Sequence, residues 1–158
     1  MPESAEALLG LTDRATECVA TRAHPWWTGE IPAVTMTQTA YYCAAVGVRD
    51  PIHYDHEFAR SVGFDGAVVN GSLRQAWLCY LAEAMGGNRW QVDSVRCEHR
   101  GLLAVGAQIA VTVGWAGGSV REPDGGLAGS DSLELSVVLR SEDRVVDSGL
   151  IHFLPRET

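Results

Sequence analysis

Apolar positions along this chain keep two different periods, and the change falls between Gly87 and Trp90. Before it they recur every three to four residues; after it they alternate, the repeats of helix and strand. Ala40, Tyr41, Ala44 and Ala45 predict a helix over 37–46 with Thr37 as its cap. Pro51 breaks the chain, and a short helix follows from its N-cap Asp55 to Val62. Glycine-punctuated residues 63–71 lead into a longer helix over 72–85, with Gly86-Gly87 as its stop. Leu73, Ala76, Trp77, Tyr80, Leu81 and Ala84 share one stripe of that helix.

In the alternating half, Trp90, Val92, Ser94, Arg96 and Glu98 form one strand face, with Gln91, Asp93, Val95, Cys97 and His99 on the other. Ile109, Val111, Val113 and Trp115 make the next strand, and Leu133, Leu135, Val137 and Leu139 another. The turn Ser141-Glu-Asp-Arg144 leads to a fourth strand over 145–154. The first thirty residues read differently. Residues 3–22 suggest one or two helical pieces, and His24-Pro-Trp-Trp-Thr-Gly29 a loop anchored by tryptophans. Helices followed by consecutive strands place the chain in the α+β class, with an antiparallel sheet wrapped on one central helix. Such a sheet has open edges, and pairing with a second protomer covers one, so a dimer is expected.

Length and charge narrow the picture. The 158 residues suit one domain over 1–158, and 46% hydrophobic with 20% charged residues is globular composition. A net charge of −8 argues against a nucleic-acid partner. All 12 basic residues are arginine, so phosphate-cradling P-loops, pyridoxal Schiff bases and catalytic lysines are excluded. The amino terminus lacks the apolar core of a signal peptide. The uncharged stretch 101–120 carries glycines and alternation and reads as soluble strand, not a membrane span. Cys18, Cys43, Cys79 and Cys97 show no CxxC spacing and fit free thiols of a cytoplasmic protein, with Cys43 and Cys79 in the core. Trp26, Trp27 and Trp77 read as packing residues, with a pocket-lining role as the alternative.

Candidate chemistry concentrates in Arg49-Asp-Pro-Ile-His-Tyr-Asp-His-Glu-Phe-Ala-Arg60, followed by Val68-Val-Asn-Gly-Ser72 at the start of the long helix. Asp50, His53, Asp55 and His56 superficially suggest a metal cluster, but Pro51 spoils the helical spacing and no metal site is expected. The stretch DPIHYDHEFARSVGFDGAVVNGSL resembles the MaoC-like, (R)-specific enoyl-CoA hydratase/dehydratase branch of the hotdog-fold superfamily. Pro51-Ile-His53, Asp55, Ala59, Gly63-Phe64 and Gly71 carry the match.

The resemblance implies a hotdog fold and a hydro-lyase acting on an enoyl or β-hydroxyacyl thioester or related activated carbonyl, with no cofactor. His53 takes the place of the family's catalytic histidine. Histidine suits proton transfer because its side chain titrates at about pH 6.5. Gly71 takes the place whose backbone N–H polarises the thioester carbonyl, at a helix start that favours negative charge. Two positions depart from the family. Its aspartate five residues before the histidine is here Val48, and its histidine before the helix-start glycine is Asn70. Asp50, three before His53, is the candidate partner or orienter of the imidazole, with a plain turn role as the alternative. Asn70 either contacts substrate or caps the helix; Ser72 and Tyr54 are substrate-binding candidates as neighbours of Gly71 and His53.

Two further functions compete. One is a tailoring dehydratase, isomerase or cyclase of specialised metabolism that works without coenzyme A. The other is a non-catalytic hotdog subunit that stabilises an active partner chain, so homodimer and hetero-oligomer both stay open. A thioesterase reading rests only on Glu83, near the helix end. Binding the phosphates of coenzyme A calls for clustered arginines, and Arg89, Arg96 and Arg100 are the candidates.

Overall fold

The computed structural model describes residues 27–87, 90–119 and 132–156. The expected helices over 3–22, Cys18, Trp26, Arg89 and the glycine-rich connection beyond Ser119 lie outside the described residues. The elements in chain order are β1 (Trp27–Ile31), α1 (Met36–Val46), a 3-10 turn (Pro51–His53) and α2 (His56–Ser61). The long helix α3 (Gly71–Gly86) and four strands follow: β2 (Trp90–His99), β3 (Ile109–Ser119), β4 (Ser132–Ser141) and β5 (Arg144–Pro155). The strands form one antiparallel five-stranded sheet in the order β1-β3-β4-β5-β2. α3 packs across β2 and β5 on one face of that sheet. Among the described residues no helix is long and apolar enough to cross a membrane.

Alternation fixes which face is covered. Leu133, Leu135, Val137 and Leu139 of β4 are buried, as are Ile109, Val111 and Val113 of β3 and Ile151 and Phe153 of β5. They meet Leu78, Leu81, Ala82 and Met85 of α3. Each large apolar side chain so covered contributes roughly 1.5–3 kcal/mol, which outweighs the helix's own weak preference for a face.

Several expectations change. Residues 27–29, expected in a loop, open strand β1, which pairs with β3 from Trp27↔Val113 to Ile31↔Ile109. The described strands therefore number five, not four. Thr35, not Thr37, caps α1: its hydroxyl accepts from Gln38 N–H while the Gln38 side chain returns to the Thr35 N–H, a closed capping box. Residues 101–108 do not extend β3; they form turns tied to the segment before α3 by the bridge Val68↔Ala104.

Two shifts matter for the site. α3 is rotated from the expected stripe, so that Arg74, Leu78, Leu81 and Met85 face the sheet while Tyr80 is 59% exposed and Cys79 is exposed. The sequence is apolar on both sides of this helix, and the sheet selects the side. β2 carries a bulge between Val92 and Ser94 that lets Asp93 take up one extra position. A bulge reverses the alternation beyond it. Trp90 and Val92 point inward before it, and Val95, Cys97 and His99 follow them inward after it.

Candidate functional site

An open cleft of about 410 Å³ lies where the start of α3 meets the end of β2. Ile52, Phe64, Val68, Val69 and Leu102 give it apolar walls. Its polar lining comes from His53, Gly71, Arg74, His99 and Arg100. His53 and Gly71, assigned from the sequence to one site, thus line one cleft.

The acid- and histidine-rich segment before α3 is held by side-chain bonds to its own backbone. Asp50 is exposed and caps the 3-10 turn, its Oδ1 accepting from the Ile52 N–H at 3.2 Å. Its one bond to His53 is through the backbone, where the His53 N–H donates to the Asp50 carbonyl at 3.3 Å. His53 is instead anchored by Nδ1 on the Val68 carbonyl oxygen at 2.9 Å. A carbonyl only accepts, so Nδ1 carries the proton, and Nε2 is the basic nitrogen of the neutral ring. Asp55 caps α2 through the N–H groups of Glu57 and Phe58, and His56 Nδ1 accepts from the Ala67 N–H at 3.0 Å. Of the four residues that suggested a metal cluster, Asp50 and Asp55 are thus caps, while His53 and His56 tie this segment to the backbone at Val68 and Ala67.

At the start of α3, Asn70 is the cap: Oδ1 accepts from the Ser72 N–H at 2.8 Å and from the Ser72 hydroxyl at 2.5 Å. Tyr42 extends the chain by donating its hydroxyl to Ser72 Oγ at 3.0 Å. Gly71, the first residue of the helix, has its N–H outside the intrahelical ladder. Tyr54 donates to the Arg49 carbonyl at 2.9 Å and so braces the turn that carries His53.

The cleft floor holds a cluster the sequence reading did not assign. Arg74, on the buried stripe of α3, donates from Nε to Asp147 Oδ2 at 2.9 Å and from Nη2 to Oδ1 at 2.5 Å. A third bond joins Nη2 to the Val146 carbonyl at 2.6 Å. Arg74 is 4% and Asp147 0% exposed. Asp147 in β5 lies directly opposite His99 in β2, and Asp147 Oδ1 stands 2.6 Å from His99 Nδ1. The imidazole reaches the cleft, with its side chain 42% exposed. Its Nε2 lies 3.0 Å from where a Cβ on Gly71 would be, so a larger residue there would oblige the ring to shift by a few tenths of an ångström.

Signals for this cluster existed in the sequence. Arg74 falls at i, i+4, i+7 and i+11 with Leu78, Leu81 and Met85, and Asp147 shares its strand parity with Ile151 and Phe153. A charge at an apolar-stripe position marks a buried pair or a site. Cys97, His99 and Asp147 also lie close enough together to form a metal-type group. The fit is poor, because Asp147 already receives two guanidinium N–H groups and the arginine charge opposes a cation.

Of the other candidates, Glu83, the one acid behind the thioesterase alternative, pairs with Arg156 at 3.6 Å and does not line this cleft. Arg100 is tied to Glu98 and, through Nε, to Ser148 Oγ at 2.9 Å. Arg96 lines a separate hollow on the opposite sheet face. Trp27 and Trp77 pack against the core. Cys43 is buried, and burial pushes its thiol above the ordinary range.

No family model and no curated protein matches this chain. Solved structures do. The ChsH1–ChsH2 complex from Mycobacterium tuberculosis superposes with a TM-score of 0.66 at 12% identity, over 82% of this chain and 94% of that one. R-hydratase PhaJ1 from Pseudomonas aeruginosa gives 0.66 at 15%, over 84% and 81%. A MaoC-like dehydratase gives 0.58 at 15%, over 81% of this chain and 41% of that one. The hotdog fold expected from the sequence is borne out, and the resemblance to MaoC-like proteins holds at the level of fold.

Proposed function

We propose that this chain is a hydro-lyase of the MaoC-like kind, a hydratase or dehydratase acting on an enoyl or β-hydroxyacyl thioester or related activated carbonyl. The observation that carries this reading is the meeting of the His53 imidazole and the first amide of α3, at Gly71, in one largely apolar cleft. The structural neighbours described as an R-hydratase and a MaoC-like dehydratase support it. The chemistry needs a proton-transfer group at the reacting carbons and a donor for the enolate oxygen. His53, with Nδ1 fixed on the Val68 carbonyl, presents Nε2 for the first task. The Gly71 N–H serves the second; a donor so placed is worth roughly 3–4 kcal/mol in the transition state. Asp50 acts as an orienter, by capping the turn on which His53 stands. Asn70 and Ser72 hold the helix start in place, and Tyr54 braces the turn.

The arginines favour a second reading of the substrate. Arg100 is paired with Glu98 at the surface, and Arg96 lies on the other face of the sheet, so these two arginines do not converge beside the cleft. A smaller, less anionic substrate than a coenzyme A ester fits this arrangement better, as in a tailoring dehydration, isomerisation or cyclisation. Strand β2 forms one edge of the sheet. We propose that it pairs with another hotdog chain, a second copy or a partner as in the two-chain neighbour.

The deciding experiment follows turnover of short enoyl thioesters, as coenzyme A and as N-acetylcysteamine esters, by the wild type and His53→Ala. The wild type is expected to hydrate the smaller esters at least as well, and the variant to lose at least 100-fold. A variant within a few-fold of the wild type overturns the role of His53.

A further inference from the structure

We infer that His99, held by Asp147, is the second proton-transfer residue of this cleft and supplies the function of the family aspartate whose place Val48 occupies. The inference rests on the hydro-lyase reading and names a residue that reading does not use. Three observations carry it. First, His99 is not needed to neutralise Asp147, because Arg74 already donates to both carboxylate oxygens from within the core. A histidine recruited only to balance charge would be redundant here. Second, the ring is fixed in one sense. A carboxylate only accepts, so Nδ1, 2.6 Å from Asp147 Oδ1, carries the proton and Nε2 of the neutral ring keeps its lone pair. Third, that Nε2 is directed to the start of α3, 3.0 Å from a Cβ position on Gly71, and the side chain lines the cleft and is 42% exposed.

The position divides the labour between the two imidazoles. If the Gly71 N–H holds the thioester oxygen, the group beside Gly71 is next to the carbonyl carbon and hence to the α-carbon. In dehydration, His99 Nε2 takes the α-proton, and the C–H electron pair passes through the enolate to become the Cα=Cβ double bond. The β-carbon–oxygen bond breaks, and protonated His53 gives its Nε2 proton to the leaving hydroxyl, which departs as water. His99 then loses its proton to solvent and His53 regains one. Hydration is the reverse. Each imidazole has its Nδ1 occupied by a different fixed acceptor, so neither ring can flip without breaking a bond.

Arg74 and Asp147 are positioning residues in this scheme, acting through His99. A third histidine supplies a control. His152 Nδ1 also meets a carboxylate, Asp93 Oδ2 at 3.0 Å, but it stands on β5 with the parity opposite to Asp147 and outside the cleft.

The test compares the wild type with His99→Gln, Asp147→Asn and His152→Gln on short enoyl N-acetylcysteamine and coenzyme A esters, with folding followed by circular dichroism. His99→Gln is expected to fold and to lose at least 100-fold in kcat with KM changed less than threefold; His152→Gln is expected to stay within twofold. Asp147→Asn is read by the imidazole 15N shifts of His99, which should move from the Nδ1–H to a mixed tautomer. His99→Gln within threefold of the wild type in kcat overturns the inference while leaving the hydro-lyase reading intact. An equal loss in His152→Gln, or a wild-type His99 already in the Nε2–H tautomer, also overturns it. A wild type inert on every ester overturns the hydro-lyase reading and this inference with it.

Discussion

Arg74 and Asp147 stand 73 positions apart in sequence and meet as a buried two-point ion pair between the central helix and β5. Neither charge has water to return to, so each depends on the other. Removing one partner of a buried pair typically costs about 3–5 kcal/mol, because the survivor stays desolvated without its counter-charge. Arg74→Ala and Asp147→Ala are each expected to lose that much in urea unfolding. The double replacement Arg74→Met with Asp147→Leu should recover most of it, since a hydrophobic pair of similar volume carries no desolvation penalty. Single variants within about 1 kcal/mol of the wild type would show that the pair is not the fixed floor of the cleft.

Gly71→Ala separates stability from activity. Gly71 is the first residue of α3, where the interior preference for alanine over glycine of about 1 kcal/mol applies only in part, so the melting temperature should change little. The new methyl, however, would sit 3.0 Å from His99 Nε2 and 3.3 Å from Cδ2. The imidazole must shift by a few tenths of an ångström to relieve that contact, and the methyl also crowds the approach to the Gly71 N–H. Turnover should fall at least tenfold with no loss of fold, measured by thermal melts beside the ester assay. Retained activity would mean that neither the ring position nor close approach to the Gly71 N–H matters.

Much of this site could be read from local sequence. Asp55 and the glycine stop of the long helix are short-range signals, set by backbone groups a few residues away, and the structure keeps them. His53 and Gly71 were found through the family-like motif, and the cleft brings them together. His99 was hidden by one residue. Strict alternation puts it on the face opposite Trp90 and Val92, and only the bulge at Asp93 returns it to their side. Asp50 sits near His53 in sequence, yet its carboxylate is spent on the Ile52 N–H, because a proline-led turn needs its own cap. β1 was missed because a five-residue edge strand containing glycine carries little pattern, and β3 supplies the partner that makes it a strand.

The rotated stripe of α3 gives a direct stability contrast. Leu78 is 1% exposed and packs in the core, whereas Tyr80 is 59% exposed despite belonging to the stripe that periodicity favours. Truncating a buried leucine removes its transfer energy and leaves a cavity, together about 2–5 kcal/mol. Leu78→Ala should cost that much in urea unfolding, and Tyr80→Ala on the isolated protomer no more than about 0.5 kcal/mol. The opposite order would place the sheet on the other side of the helix.

Thiol reactivity offers a probe of the cleft that needs no substrate. Cys97 lies beside His99 on the inward face of β2, its Sγ 3.8 Å from His99 Nδ1. Burial pushes its thiol upward from the ordinary range, and the Asp147 carboxylate adds to that, while Arg74 opposes it. The thiolate is the nucleophile, so a raised pKa means less of it at a given pH. At pH 8.5, iodoacetamide is therefore expected to modify exposed Cys79 at least tenfold faster than Cys97 or buried Cys43, as followed by peptide mass spectrometry. Raising the pH should close the gap for Cys97 only above the range in which a free thiol titrates. Asp147→Asn removes the negative charge that disfavours the thiolate, so half-buried Cys97 should react faster than buried Cys43 at unchanged pH. Equal rates for Cys79 and Cys97 in the wild type would contradict the inward placement of Cys97, and with it the bulge that carries His99 into the cleft.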